Sequence, residues 1–278
     1  MADYSDQAEG LRRMLAGPRP RIFTFLSALP EREKNAMLVN LSGSLAASGS
    51  EVLLFDARTS AVGVASQFDL LHRATLLEVA RQEQTGVSLV QNVPQGFGVA
   101  RLAHATQQAR SRLQTAQQQP LQMRRMEHAF GALAKQSDIV VIDGELGKDD
   151  AFPLQIMIDS EIVVQVSNSA GAIKDAYTLV KRLSIRFGRH PLSVLVTGAN
   201  EREAQLVYDN MARVASRYLA TQLHFLGSVP ADEHVGRATR LGRTVVDAFP
   251  LAGASIAFRR LAGRCATSSS LGSLRLAG

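Results

Sequence analysis

Short apolar runs alternate with longer stretches of helical periodicity along most of the 278 residues. The apolar runs are RIFTFLS from Arg21, EVLLF from Glu51, VSLV from Val87, DIVVID from Asp138, EIVVQVS from Glu161, LSVLV from Leu192 and LHFLGSV from Leu223. They are nearly continuous and rich in β-branched residues. Parallel strands covered on both faces read this way, because neither face meets water. Between them, residues 123–135, 170–187 and 201–219 form longer helical stretches. This alternation predicts an α/β fold, a doubly wound and mostly parallel sheet flanked by helices. No internal repeat is seen.

Three stretches break the pattern. Residues 1–18 read as a separate element, with Ala8, Leu11 and Leu15 on one side of a short helix that Gly17-Pro18 ends. The polar, glutamine-rich run at 106–122 predicts an exposed helix or loop. The serine- and glycine-rich tail from Cys265 is expected to be mobile. The expected organisation is an N-terminal partner-binding helix over 1–18, one globular domain over 19–264 and a tail over 265–278.

Composition changes this picture little. Hydrophobic residues make up 46% and charged residues 20%, as in ordinary globular proteins. No apolar run approaches the about 18 residues that a membrane span needs, and the N-terminus lacks a signal-peptide pattern. Cys265 is the only cysteine, so no intramolecular disulfide and no CxxC metal site can form. A cytoplasmic location is expected, with peripheral contact at the inner membrane or cell pole as the further option. The net charge of +6 is dispersed along the chain, which fits a solvated surface better than a nucleic-acid site. The six histidines form no HExxH spacing, GxSxG is absent, and Gly96-Phe97-Gly98 reads as a turn signal.

The chemistry concentrates where the first strand meets its helix. After RIFTFLS comes ALPEREKN, Ala28 to Asn35, then the apolar stretch AMLVNLSGSLAASG and a second strand ending on Asp56. This is the layout of a phosphate loop, in which glycines let backbone N–H groups wrap an anion. Here the loop contains no glycine.

Five stretches carry a resemblance that covers nearly the whole chain. DQAEGLR, Asp6 to Arg12, is similar to the N-terminal DQAxxLR motif of FlhG proteins. LVNLSGSLAASGSEVLLFDAR and SDIVVIDGELG resemble the central frame of the MinD/ParA class, and AIKDAYTLVKRL resembles the SITDAYALIK stretch of FlhG-type proteins. LGSVPADEHVGRATRLGRTVVDAFP resembles the proline-loop segment of MinD-like proteins. The chain thus resembles the MinD/ParA class of deviant P-loop ATPases, and within it the FlhG/FleN proteins that control flagellar number and placement. The resemblance implies that Asp6, Gln7, Ala8, Leu11 and Arg12 engage and activate an FlhF-like GTPase of the signal-recognition-particle type. Gln7 would help to orient the attacking water. It also implies that Asp143 faces the metal region, and that Pro230 and Asp232 lie beside the base pocket.

The departures from that family are specific. Against GKGGVGKT, Leu29 replaces the signature lysine, and Pro30 brings no N–H. Glu31 and Glu33 add negative charge, and Asn35 replaces the metal-binding threonine. Lys34 alone keeps its place and is expected to be a surface charge. In the family's DAD stretch, Asp56 is kept but Arg58 replaces the catalytic aspartate. Thr197 stands where the family has an asparagine for the base. ATP hydrolysis is therefore not expected, and neither are the ATP and Mg²⁺ of active relatives, nor a resident metal.

The expectation is a catalytically degenerate regulator of flagellar number and biosynthesis. Its partners would be the GTPase and a flagellar transcriptional activator or basal-body component. A monomer is expected, with a dimer through the face that ATP would bridge as the other option, and with weak or no membrane contact and no specific nucleic acid. The alternatives are an ATPase that cycles on the membrane, dimerising on ATP, and a ParA-like or cellulose-synthesis relative.

Overall fold

Neighbouring residues of each central strand face opposite cores. Val52 and Leu54 pack into one hydrophobic cluster, while Leu53 and Phe55 pack into the other. Val141 and Ile142 divide in the same way, as do Val163 and Val164. A strand buried on both faces needs apolar residues at consecutive positions, which is why the strand sequences are continuous rather than alternating.

The computed structural model describes residues 19–59, 63–68, 70, 73–82, 88–147 and 149–267. The motif residues Asp6, Gln7, Ala8, Leu11 and Arg12, and the tail beyond Thr267, lie outside them. In chain order the elements are β1 (Arg21–Ser27), α1 (Glu31–Ala47), β2 (Val52–Asp56), α2 (Leu76–Ala80), β3 (Gln91–Asn92) and β4 (Gly98–Arg101). Helices α3 (Gln107–Gln117) and α4 (Pro120–Ala134) then lead to β5 (Ile139–Asp143), α5 (Ile156–Asp159), β6 (Glu161–Ser167) and α6 (Ala170–Phe187). The chain continues through β7 (Leu192–Thr197), α7 (Glu201–Leu219), β8 (Leu223–Val229), α8 (Glu233–Arg240), α9 (Val245–Ala248) and α10 (Gly253–Thr267). Among the described residues the sheet has eight strands in the order β3-β4-β2-β5-β1-β6-β7-β8, parallel except for β3 against β4.

Helices cover both faces. On one, α1 contributes Met37, Leu38, Leu41 and Leu45, and α10 contributes Phe258 and Leu261. Gly43 lets α1 approach the turn before α9, since a Cβ there would come within 2.5 Å of Thr244 Cγ2. Asn40 secures the same contact, accepting from the Val245 amide at 2.6 Å. On the other face, α4, α6 and α7 bury Phe130, Val180 and Met211 among others. Helix α6 starts on Ser169, whose side chain accepts from the Ala172 amide, and stops at Gly188 with φ +70°.

The predicted strand at 87–90 is not found: no strand covers 88–90, and Val87 lies outside the described residues. The strand is instead β4, whose GVAR sequence carries little apolar signal. The physical reason is local. A Cβ on Gly98 would come within 2.6 Å of Val90 Cγ1, so the apolar residue at 90 packs on top of the strand instead of forming it. Gly96 turns at φ +88°, as expected, but Gly98 already belongs to β4. The glutamine-rich run forms α3 and the start of α4; Leu113 and Ala116 are the buried residues of α3. Helix α10 runs to Thr267, so Cys265, which the sequence reading placed at the start of a mobile tail, is helical and buried.

Candidate functional site

In an open parallel sheet the carboxyl ends of the strands form the natural ligand edge. Here the ends of β1, β2 and β5 converge with the N-terminus of α1. The sequence reading treated Ala28 to Asn35 as a loop. The structure makes Glu31 onward helical, with Pro30 at the N-cap position (φ −52°, ψ 141°). Proline has φ preset for this position and needs no partner for an N–H. The Glu33 and Lys34 amides bond back to the Pro30 carbonyl at 2.9 and 3.2 Å. Leu29 is buried beside them, its amide donating to Ser27 Oγ at 3.1 Å. Glu33 is exposed and points no charge into the site.

Lys34 is not a surface charge. It is 1% exposed and reaches inward, with Nζ 2.7 Å from Asp143 Oδ1 and 3.0 Å from Glu31 Oε2. The reason is position: the first turn of α1 sits over the end of β5, whose Asp143 is fully buried. A lysine beside a buried carboxylate goes in to pair with it, because either charge alone would be costly there. Asn35 is also buried.

Arg58 extends the same cluster. Its guanidinium pairs with Glu31 and, through Nε at 3.3 Å, with Glu145 Oε2. Burial works to lower the Arg58 pKa, but the hydrogen bond that its guanidinium donates to Glu31 and the charges of the nearby carboxylates outweigh it and hold it above its usual value. Position 58 therefore carries a charge that the neighbouring acids anchor.

The two carboxylates at the strand ends also bind backbone. Asp143 Oδ2 accepts from the Val64 amide at 2.8 Å. Asp56 accepts from the Ala65 amide at 2.9 Å and the Arg58 amide at 3.0 Å. Gly63 sits so close that an added Cβ would come within 2.2 Å of Asp56 Oδ2. Burial, with the negative charge of Asp143 second, pushes the Asp56 carboxyl up to about 6. Burial also raises Asp143, against the pull of Lys34.

Sequence reasoning missed Glu145, Thr59, Gly63 and Arg110. Glu145 Oε1 accepts from both the amide and the hydroxyl of Thr59, at 2.5 and 2.6 Å. Arg110 Nε donates to the Thr59 carbonyl at 2.7 Å. Glu145 could have been found as the acid two residues beyond Asp143, still at a strand's carboxyl end. Arg110 carried no such signal, because α3 approaches only through the tertiary fold.

The remaining sequence candidates lie apart. Pro230 borders a groove of about 500 Å³ between α7 and α10, along the edge strand β8. Asp232 is a helix cap: Oδ1 accepts from the His234 amide at 2.9 Å and Oδ2 from the Ala254 amide at 3.0 Å. Burial would raise its pKa, but these N–H bonds and His234 hold it below the usual carboxylate range. Thr197 Oγ1 accepts from Gln165 Nε2 at 3.3 Å. Among the described residues no group of His, Cys, Asp and Glu is arranged to hold a metal, and no helix is long and apolar enough to cross a membrane.

The sheet order, its helical covering and the site at the ends of β1, β2 and β5 define a P-loop ATPase fold of the MinD/ParA type. The chain superposes on the cell-division ATPase MinD of Pyrococcus furiosus with a TM-score of 0.65 at 18% identity, covering 88% of this chain and 97% of that one. It superposes on a ParA-family ATPase of Chlorobium tepidum with a TM-score of 0.64 at 16% identity, covering 87% and 98%. In sequence it is similar to the antiactivator FleN of Pseudomonas aeruginosa, 29% identical over 232 residues, which is 82% of this chain and 80% of that protein. No protein-family model matches the chain.

Proposed function

We propose that this chain is a catalytically silent MinD-like regulator of the FlhG/FleN type that acts through protein contacts and does not turn over ATP. The observation that carries the reading is the pairing of Lys34 with Glu31 and Asp143. The cation that would meet a triphosphate is already neutralised, and Glu31 lies in the first turn of α1 where the anion would rest. Pro30 offers no N–H, Asn35 offers no hydroxyl for magnesium, and Arg58 stands in place of a carboxylate. These residues do not fit a magnesium-bound nucleotide.

The similarity to an antiactivator supports a regulatory role. On this reading the chain restrains flagellar biosynthesis by binding a transcriptional activator or a basal-body component. Its Asp6–Arg12 motif stimulates an FlhF-like GTPase, with Gln7 the residue that acts at the partner's nucleotide.

Two measurements test the proposal. Calorimetry with Mg·ATP at millimolar concentration should give no saturable heat. Titration into an FlhF-like GTPase should raise GTP turnover, and Gln7→Ala should abolish the rise. Unchanged turnover, or stimulation that survives Gln7→Ala, removes the GTPase arm.

One observation favours a second reading, an active ATPase cycling on the membrane. Lys34 keeps the place of the phosphate-loop lysine and points inward. That reading predicts saturable micromolar Mg·ATP binding, and absence of heat at millimolar ATP excludes it.

A further inference from the structure

In P-loop proteins of the switching kind, a bound nucleotide and its metal order the neighbouring loop segments, which loosen when the ligand leaves. The site described above contains the parts of a substitute. Four backbone amides, those of Arg58, Thr59, Val64 and Ala65, each donate to a side-chain carboxylate. Three carboxylates receive them: Asp56, Asp143 and Glu145. Two cations hold those acids from behind, Lys34 on Asp143 and Arg58 on Glu145, and Glu31 bridges the cations.

We propose that this ion cluster is a built-in latch that takes the place of nucleotide and metal, holding Arg58–Thr59 and Gly63–Ala65 in one conformation without any ligand. The proposal rests on the catalytically silent reading and deepens it.

Each part has a physical reason to be there. A carboxylate accepting N–H bonds immobilises the donating backbone most strongly where water is excluded, and Asp143 is fully buried. The charge on that carboxylate must be compensated, and Lys34 compensates it. Glu31 gives Lys34 a second partner and ties Arg58 to the helix, so α1, β2 and β5 all share the cluster. Gly63 permits the closest approach, since any side chain there would overlap the Asp56 carboxylate. Glu31 and Arg58, which stand where the resembled family has glycine and aspartate, add the link between the two cations and the hold on Glu145.

The test is amide hydrogen exchange on the full-length protein, followed residue by residue, for the wild type, Glu31→Gln and Gly63→Ala. Glu31 is half-buried, so its replacement leaves the core intact. Without nucleotide, the wild-type amides of Arg58, Thr59, Val64 and Ala65 should be protected. Gly63→Ala should speed exchange at Val64 and Ala65 at least tenfold, and Glu31→Gln should do so at Arg58 and Thr59. The amides of β6 should be unchanged in both, which reports an intact fold. Wild-type amides that exchange freely overturn the latch, as do variants that leave all four rates unchanged. A third arm adds Mg·ATP. If ATP binds and adds tenfold protection to the four amides, both the latch and the silent reading fail. If ATP binds without altering them, the silent reading fails and the latch, which then replaces no ligand, fails with it. Free exchange with no ATP binding defeats the latch alone.

Discussion

Asp143 and Asp232 both lie at the carboxyl ends of strands, yet the fold treats them in opposite ways. Asp143 is fully buried and its carboxyl is pushed up by that burial; Lys34 at 2.7 Å makes its charge tolerable. Asp232 lies nearer the surface, between the starts of α8 and α10, where backbone N–H groups hold its pKa down. The first acid depends on a cation. The second depends on helix ends, which supply partial positive charge, and on the His234 ring 2.8 Å away. Side-chain identity alone therefore says little about what an acid in this sheet does. Its burial and its donors decide.

The sharpest way to break the comparison is to remove the cation. Lys34→Met should leave Asp143 buried without its counter-ion and cost about 3–5 kcal/mol, read as a shift in the urea midpoint at neutral pH. A loss under 1 kcal/mol would mean that Asp143 is neutral or hydrated instead.

The next effect is on pH. Asp56 titrates near about 6 in the folded chain against 3.8 as a model carboxyl. Between those values the folded state holds more protons than the unfolded one, so stability falls as pH rises through this window. The contribution is about 3 kcal/mol across the whole window. Asp56→Asn should flatten the slope of unfolding free energy between pH 4 and pH 6. An unchanged slope would assign it to other groups.

Asp232→Ala should cost about 1–2 kcal/mol, the scale of a lost helix cap. Its pKa is depressed, so the sign is reversed. The stability it contributes is present above the unfolded value and is lost as pH falls through the lower folded value. Urea unfolding at pH 7 and pH 3 checks both, with wild type and variant converging at the acid end. The smallest expected effect lies on the surface between the two regions' helices. Arg260 pairs with Glu201 where both are largely exposed. Arg260→Ala should change stability by no more than about 0.5 kcal/mol, measured by the same titration in low and high salt.

Much of this was legible beforehand. The apolar runs located six of the eight strands, and 170–187 and 201–219 match α6 and α7 in full. Burial on both faces writes itself into sequence as continuous apolar residues, so such strands are easy to read. Strand β4 was not legible, because GVAR owes its place to pairing with β2 and to cover from Val90. At the site, Glu31, Lys34, Arg58 and Asp143 were picked out one by one, but their connections were not. The inward turn of Lys34 is not legible, because local sequence cannot show which strand end lies beneath a helix.

The sequence by itself determined the layered α/β fold, through hydrophobic periodicity, and the absence of glycine from Ala28 to Asn35, through residue type. Both are local properties. Only the tertiary structure decided what Glu31, Lys34 and Arg58 do. Sheet order sets β5 between β1 and β2, bringing Asp143, 109 positions beyond Lys34 in the chain, within 2.7 Å of its ammonium group. Charges interact through space, and in a buried site that distance, rather than sequence separation, sets their energy.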